Sequence, residues 1–279
     1  MPTYLRPTNL GEALAALTNT TLTVLAGGTD YYPARVGKPI NDDVLDISAI
    51  ASLRGIRDEG SRWRIGATST WSDIIAATLP PLFDGLKLAA REVGGVQIQN
   101  AGTIAGNLCN ASPAADGVPP LLALDARVEI ADTAGSRSVA LADFILGNRR
   151  TLLRPDQLLT AILIPKPAHS ARSHFVKLGA RKYLIVSIVI VAATLEIEAG
   201  RVSAARVAVG AASAVAQRLP LLEAALIGQR CDASLGEHAR TEHLAPLAPI
   251  DDVRASREYR LDAGLTLVRR VLSQLGARA

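Results

Sequence analysis

The chain has 279 residues, 49% of them hydrophobic and 20% charged, with a net charge of +4. That balance supports a full core in one large or two modest domains. No Lys/Arg cluster is interleaved with aromatics, which argues against nucleic-acid binding, and the longest apolar run, 183–195, is too short for the ~20 residues a membrane span needs.

In chain order, Asn9 with Glu12 three residues later reads as a helix N-cap, followed by Leu10, Ala13, Leu14 and Leu17 at helical spacing. Apolar strands are expected over 22–26 and 44–47, and a hairpin over 55–65. The first strand runs into Ala26-Gly27-Gly28-Thr29-Asp30. Helices are expected over 71–77 and 82–91. A second glycine segment follows, Gly102-Thr103-Ile104-Ala105-Gly106-Asn107, leading to Asn110-Ala111-Ser112-Pro113-Ala114-Ala115-Asp116. Both segments are read as following extended runs and as offering small residues, free backbone N–H groups and a Thr hydroxyl. That combination suits close approach to a phosphate, because glycine has no Cβ to block it. Each segment alone reads more readily as a plain turn; together they suggest two loops converging on one diphosphate. Asp30 and Asp116 repel phosphate but can accept hydrogen bonds from ribose, ribityl or amide groups.

Pro119-Pro120 opens a short helix to Leu124, and strands are expected over 127–131 and 158–164. Ile164-Pro165-Lys166-Pro167 breaks the pattern and marks a domain boundary, giving domains 1–170 and 171–279. Beyond it come strands over 175–178, 184–197 and 201–210, with Gly200 at the turn between the last two. Helices are expected over 220–226, 236–244 and 256–275, the last carrying a stripe of Leu261, Leu265, Val268, Leu272 and Leu275. Strands followed by helices predict an α+β second domain.

The familiar nucleotide signatures are missing: there is no G-x-G-x-x-G and no G-x-x-x-x-G-K. His169 and His174, and His238 and His243, are each five apart, which does not place two ligands on one helix face, so no metal site is expected. Cys109 and Cys231 look like thiols of a reduced intracellular protein, and two cannot hold an iron–sulfur cluster. Met1-Pro2-Thr3-Tyr4-Leu5-Arg6 lacks the apolar core of a signal peptide; a cytoplasmic protein is expected. Trp63 and Trp71 read as packing residues, Lys177 as a solvated edge lysine, and Arg149-Arg150 and Arg181-Lys182 as solvated charges.

These motifs, with Arg64-Ile65-Gly66-Ala67, Leu124-Asp125-Ala126, Arg149-Arg150-Thr151-Leu152-Leu153, Ile162-Leu163-Ile164-Pro165, Asp251-Asp252-Val253-Arg254-Ala255-Ser256 and Tyr259-Arg260, occur in one order over essentially the whole length. In this the chain resembles the medium, FAD-binding subunits of molybdenum hydroxylases, the group of carbon monoxide dehydrogenase and bacterial xanthine dehydrogenases. The resemblance implies an α+β protein: a two-part α/β FAD-binding domain of the PCMH/vanillyl-alcohol-oxidase-like type, then an α+β domain with an antiparallel sheet and helices. It implies that Val24, Leu25, Ala26, Gly27, Gly28, Thr29, Asp30 and Tyr31, with Thr103, Ala105, Gly106 and Asn107, grip the FAD pyrophosphate. Val93 would lie near the flavin, and Asp116, Leu158 and Lys177 match further cofactor-contacting positions. No residue of this chain is then required as a catalytic acid or base.

The resemblance further implies a large subunit carrying the molybdenum cofactor and a small subunit carrying two [2Fe-2S] clusters, assembled as a dimer of heterotrimers. Electrons would pass from the clusters through FAD to an external acceptor. The family usually has two glycines where this chain has Ala105-Gly106. A left-handed backbone at 105 would cost Ala about 1–2 kcal/mol; a backbone compatible with Ala is the expectation here. Two other readings stay open. One is a stand-alone flavin oxidase or dehydrogenase, for which Cys109 is the only candidate for covalent flavin attachment near the loops. The other is a scaffold subunit without FAD, for which Ala105 is the only hint.

Overall fold

The N-terminal apolar stripe finds most of its partners within the first 53 residues. In the computed structural model, which describes residues 2–182 and 184–277, Asn9 Oδ1 accepts from Glu12 N at 3.0 Å and starts the Leu10–Asn19 helix. Ala13, Leu14 and Leu17 pack with Leu45, Ile47, Ile50 and Leu53. The sheet beneath is parallel and three-stranded, in the order Tyr4–Leu5, Val44–Asp46, Thr23–Leu25. Tyr4–Leu5 was not expected as a strand; two residues are too few to show a period.

A second, antiparallel sheet runs Ile56–Asp58, Arg62–Gly66, Leu158–Pro165, Arg127–Asp132, Gly135–Ala140. The hairpin and both strand expectations hold here. Trp71, Phe83, Leu86, Ile104, Leu108 and Leu121 from the neighbouring helices share one core with Ile65, Val128, Ile130, Ile162 and Ile164 from the strands. Trp71 is a core residue, as its sequence context suggested.

The run before the second glycine segment is not extended. Val96–Ala101 is a short helix, closed by Gln99 N on Gly95 O at 2.9 Å and Gly102 N on Ile98 O at 2.7 Å. Val-Gln-Ile-Gln-Asn alternates like a strand, but none of the sheets pairs with it, so its N–H and C=O groups bond locally.

The C-terminal sheet is antiparallel, in the order Ser170–Leu178, Val189–Glu198, Arg201–Gly210, Gln217–Arg218. Ala199 (φ 50°) and Gly200 (φ 73°) make the predicted tight turn, the two positive φ values a type I′ hairpin needs. The strand expected over 184–197 begins only at Val189; position 183, at the head of that apolar run, lies outside the described residues. The helix expected over 236–244 is two 3₁₀ turns, Ala233–His238 and Thr241–Leu244. The segment lies against the C-terminal helix, where a Cβ on Gly236 would sit 2.3 Å from Arg269 O, and packing at that distance overrides helical preference. The Arg257–Gly276 helix is capped by Ser256 and buries Val268, Leu272 and Leu275 as expected. The centre of its buried face is Gly264, Leu267 and Val271, with Leu261 and Leu265 half-buried at the rim.

The two halves are not merely tethered. Phe175, Ile190, Ala192 and Ala208 of the C-terminal sheet belong to the same core as Trp71 and Ile104. Glu196, 4% exposed, accepts from Ala168 N at 3.0 Å and His169 N at 3.4 Å and pairs with Arg206 at 2.9 Å, fixing the connector to the sheet. Asp125 receives both Arg218, at 2.7 Å, and Arg206. Among the described residues no helix is long and apolar enough to cross a membrane.

Candidate functional site

The first glycine loop leaves the Thr23–Leu25 strand where Ile47 N still bonds Leu25 O at 2.9 Å. Gly28 takes φ +70°, and the Tyr32 ring occupies the space a Cβ would need, 2.6 Å away. A Cβ on Gly27 would lie 1.9 Å from Ala101 O and 3.0 Å from Gly102 Cα. This is the contact that joins the two glycine segments, and it requires glycine at 27. Tyr32 N on Gly28 O (3.1 Å) and Ala34 N on Asp30 O (3.3 Å) close the following turn. The backbone N–H groups of Gly27, Gly28, Thr29, Asp30 and Tyr31 donate to nothing among the described residues.

Behind the loop, Tyr31 OH donates to Asp42 Oδ2 at 2.9 Å, and Arg35 Nε reaches the same oxygen at 2.5 Å. The Arg35 guanidinium lies 3.7 Å from the Tyr31 ring centroid, a cation–π contact. Arg35 first, and the Tyr31 hydroxyl next, hold the Asp42 carboxyl below the ordinary carboxylate range. The donors are thus held from behind while their N–H groups stay unspent. Val24 is 41% exposed on an edge strand, Leu25 is buried, and Asp30 is exposed.

The second segment is built differently. Thr103 caps the Ile104–Asn110 helix, its Oγ1 accepting from Gly106 N at 3.1 Å. Ile104 N donates to Ser69 O (3.0 Å), Ala105 N to Ala67 O (3.3 Å) and Asn107 N to Thr103 O (3.1 Å). The expectation of free N–H groups here is therefore corrected for Gly102, Ile104, Ala105, Gly106 and Asn107, whose N–H groups are taken by the protein itself, while Thr103 N donates to nothing among the described residues. Ala105 is buried inside the helix and is not among the residues with positive φ, so the left-handed penalty does not arise. Asn107 Oδ1 accepts from Gly117 N at 3.2 Å, and a Cβ on Gly117 would sit 2.6 Å from the Trp71 ring. The segment frames the site and sets the turn that carries Asp116.

Asp116 and Lys177, 61 residues apart, form an ion pair at 2.9 Å with side chains 13% and 8% exposed. Lys177 Nζ also donates to Glu92 O at 3.4 Å, the last residue of the Asp84–Glu92 helix, and so abuts Val93. Ser187 Oγ donates to Asp116 Oδ1 at 3.0 Å. Burial pushes the Asp116 carboxyl above the ordinary range, against the pull of Lys177 and Ser187. Lys177 is a buried, paired residue and not the solvated edge lysine of the bland reading. Past Val93, Gly94 (φ +55°) packs on Ile98, and Leu184 reaches to within 3.6 Å of a Cβ position on Gly95. Val96, Leu184 and Val186 leave an exposed apolar rim here.

The first 167 residues match the model of the FAD binding domain in molybdopterin dehydrogenase. The chain belongs to that family. Residues 174–275 match the CO dehydrogenase flavoprotein C-terminal domain. The putative xanthine dehydrogenase FAD-binding subunit of Escherichia coli K12 is 31% identical over 99% of this chain and 96% of its own length. The carbon monoxide dehydrogenase medium chain of Afipia carboxidovorans is 32% identical over 99% and 97%. The fold matches reconstituted CO dehydrogenase from Oligotropha carboxidovorans with a TM-score of 0.90 at 28% identity, covering 100% of this chain and 99% of that one.

In this FAD-domain family member, then, stepwise contacts link the predicted residues: Gly27 on Ala101 and Gly102, Asn107 on Gly117, Asp116 on Lys177, and Lys177 on the carbonyl before Val93. Leu158 stands apart: it is buried with Ala13, Leu45 and Ala131 under the first sheet, whereas its neighbour Leu159 faces the core beneath Ile104. A cavity of about 660 Å³ lies along the connector, lined by Trp63, Asp84, Lys166, His169 and Arg172 among others, and shares no residue with these contacts. Sequence reasoning missed Tyr32 and Ser187. Ser187 left one signal, being the only polar residue in the apolar stretch 184–193; Tyr32 left none.

Proposed function

We propose that this chain is the flavin-bearing electron-transfer subunit of a molybdenum hydroxylase, taking electrons from iron–sulfur clusters on a partner and passing them to an external acceptor. The observation that carries the reading is the row of five unpartnered N–H groups on a glycine loop that lies against Ala101 and Gly102. Such a row fits a pyrophosphate, which needs several donors from a backbone it can approach closely. Bound FAD would supply redox chemistry of its own, accepting electrons singly and releasing them in pairs.

The chain's part is to bind and orient. Gly27 to Tyr31 supply donors to the diphosphate; Thr103, Ala105, Gly106 and Asn107 hold the opposite wall; Val24 to Ala26 carry the loop. Asp116 and Lys177 set the charge beside the Val93 turn, and Leu158 acts only indirectly, packed under the sheet that carries the first loop. No acid–base residue is assigned. We place the domain boundary at 170, with FAD on 1–170 and the C-terminal α+β domain on 171–279. The relatives named as medium chains of carbon monoxide dehydrogenase support partners of two kinds, a large subunit with the molybdenum cofactor and a small [2Fe-2S] subunit. A dimer of heterotrimers in the cytoplasm completes the proposal.

The test is a visible absorption spectrum of the purified protein before and after acid precipitation. Flavin bands released by acid as FAD are expected. A colourless protein that does not take up added FAD leaves the scaffold reading standing, and flavin that stays with the precipitate favours covalent attachment.

A further inference from the structure

Three hydrogen bonds fix the segment between the first two C-terminal strands: one to Asp116, one to the end of the preceding strand and one to the last helix. Ser187, 2% exposed, donates from Oγ to Asp116 Oδ1 at 3.0 Å. Ile188 N bonds Leu178 O at 2.7 Å, which sets Ser187 one residue before the sheet closes. Arg260 Nη1 donates to Ile188 O at 2.6 Å, and the same guanidinium, 3% exposed, holds Ala211 O at 2.9 Å and Asp252 Oδ1 at 2.7 Å. Ser187 therefore has a fixed backbone and one acceptor.

Asp116 in turn divides its two oxygens. Oδ1 takes Ser187 and Oδ2 takes Lys177. Lys177 divides its ammonium between that oxygen and Glu92 O. A carboxylate that loses one of two donors leans harder on the other. Without the serine hydroxyl, Asp116 draws the ammonium away from Glu92 O and the Val93 turn.

We infer that Ser187 is a positioning residue for the flavin: through Asp116 it keeps the Lys177 cation beside the Glu92–Val93 turn, where the charge favours the reduced, more negative cofactor. This rests on the FAD reading above. Nothing in the catalytic sense is assigned to Ser187; it acts through two other side chains. Ser187→Ala should lower the flavin midpoint potential, because the Lys177 cation is drawn away from the turn and Asp116 is less neutralised. The expected change is up to about tenfold in the reduction equilibrium, which for a two-electron couple is about 30 mV.

The experiment is a spectroelectrochemical titration of the flavin band in the protein as purified, comparing the parent with Ser187→Ala and Ser187→Cys, and recording FAD content and melting temperature for each. Cysteine is close in shape but a weak donor. The inference expects alanine to give the larger downward shift and cysteine a smaller one, with FAD retained in both. Equal potentials in all three FAD-loaded proteins overturn it while leaving the FAD reading intact. A changed melting temperature with an unchanged potential also overturns it, since that is a structural role alone. A parent protein that binds no FAD overturns both. Should the alanine variant not fold, the cysteine variant against the parent decides in the same way.

Discussion

The two glycine segments look alike in sequence and do opposite things with their backbones. In the first, Gly27 to Tyr31 leave five N–H groups without an acceptor among the described residues; in the second, Ile104, Ala105, Gly106 and Asn107 have all spent theirs on Ser69, Ala67 and Thr103. Glycine at 27 is needed because another backbone comes within contact there, while Gly106 makes room for the capping Thr103 hydroxyl, 2.8 Å from where its Cβ would be. A glycine-rich motif thus says only that backbone must come close to something. Whether that something is a ligand or the protein itself depends on where the donors point.

The contrast can be broken most severely at the pair that the second segment supports. Lys177→Met leaves Asp116 buried without its counter-ion, which should cost about 3–5 kcal/mol. Burial already raises the Asp116 pKa in the folded state. The unfolded value stays ordinary, so the folded protein gains relative stability as pH falls through the raised value, and loses it as pH rises. The variant's deficit should be smaller at pH 5 than at pH 8 in urea unfolding; an equal deficit at both would show that the carboxyl is not what suffers. Gly27→Ala is next. Its methyl meets the Ala101 carbonyl and should cost about 1–3 kcal/mol, with FAD content falling alongside the melting temperature. Full FAD loading in a stable Gly27→Ala protein would contradict the convergence of the loops.

Smaller effects sharpen the comparison. Thr103→Ala removes a helix cap worth about 1 kcal/mol, and the loss should appear in stability more than in the FAD dissociation constant. Ala105→Gly should cost about 0.5–1 kcal/mol, the price of glycine within a helix, and leave FAD affinity unchanged. Tighter binding by that variant would mean that position 105 limits the cofactor after all.

Much of the fold was legible because its signals are local. Asn9 with Glu12, Ser256 at the head of the last helix, and the Ala199-Gly200 turn each depend on neighbours within a few residues. The Val96–Ala101 helix and the broken segment at 233–244 were not legible, since one depends on the absence of a strand partner and the other on contact with Arg269. The site divides the same way. The loop at 26–31 announces itself in sequence, and the likeness to a family supplied Asp116 and Lys177. The bond between those two residues, and the serine that steadies it, come from elements brought together only by the closed sheet. Two of the spent N–H groups of the second segment, those of Ile104 and Ala105, depend on Ser69 and Ala67, which nothing in the motif itself reveals.

One feature of the packing bears on how such a chain is inherited. The matched segments meet at the connector, which invites the view that the halves are interchangeable modules. Yet Phe175, Ile190, Ala192 and Ala208 complete the core that holds Trp71 and Ile104. A graft that brought in a C-terminal half from a relative would have to match those four side chains to a foreign floor. The seam is a place where sequence families can be divided, but an exchange there keeps the core packed only if both of its sides change together.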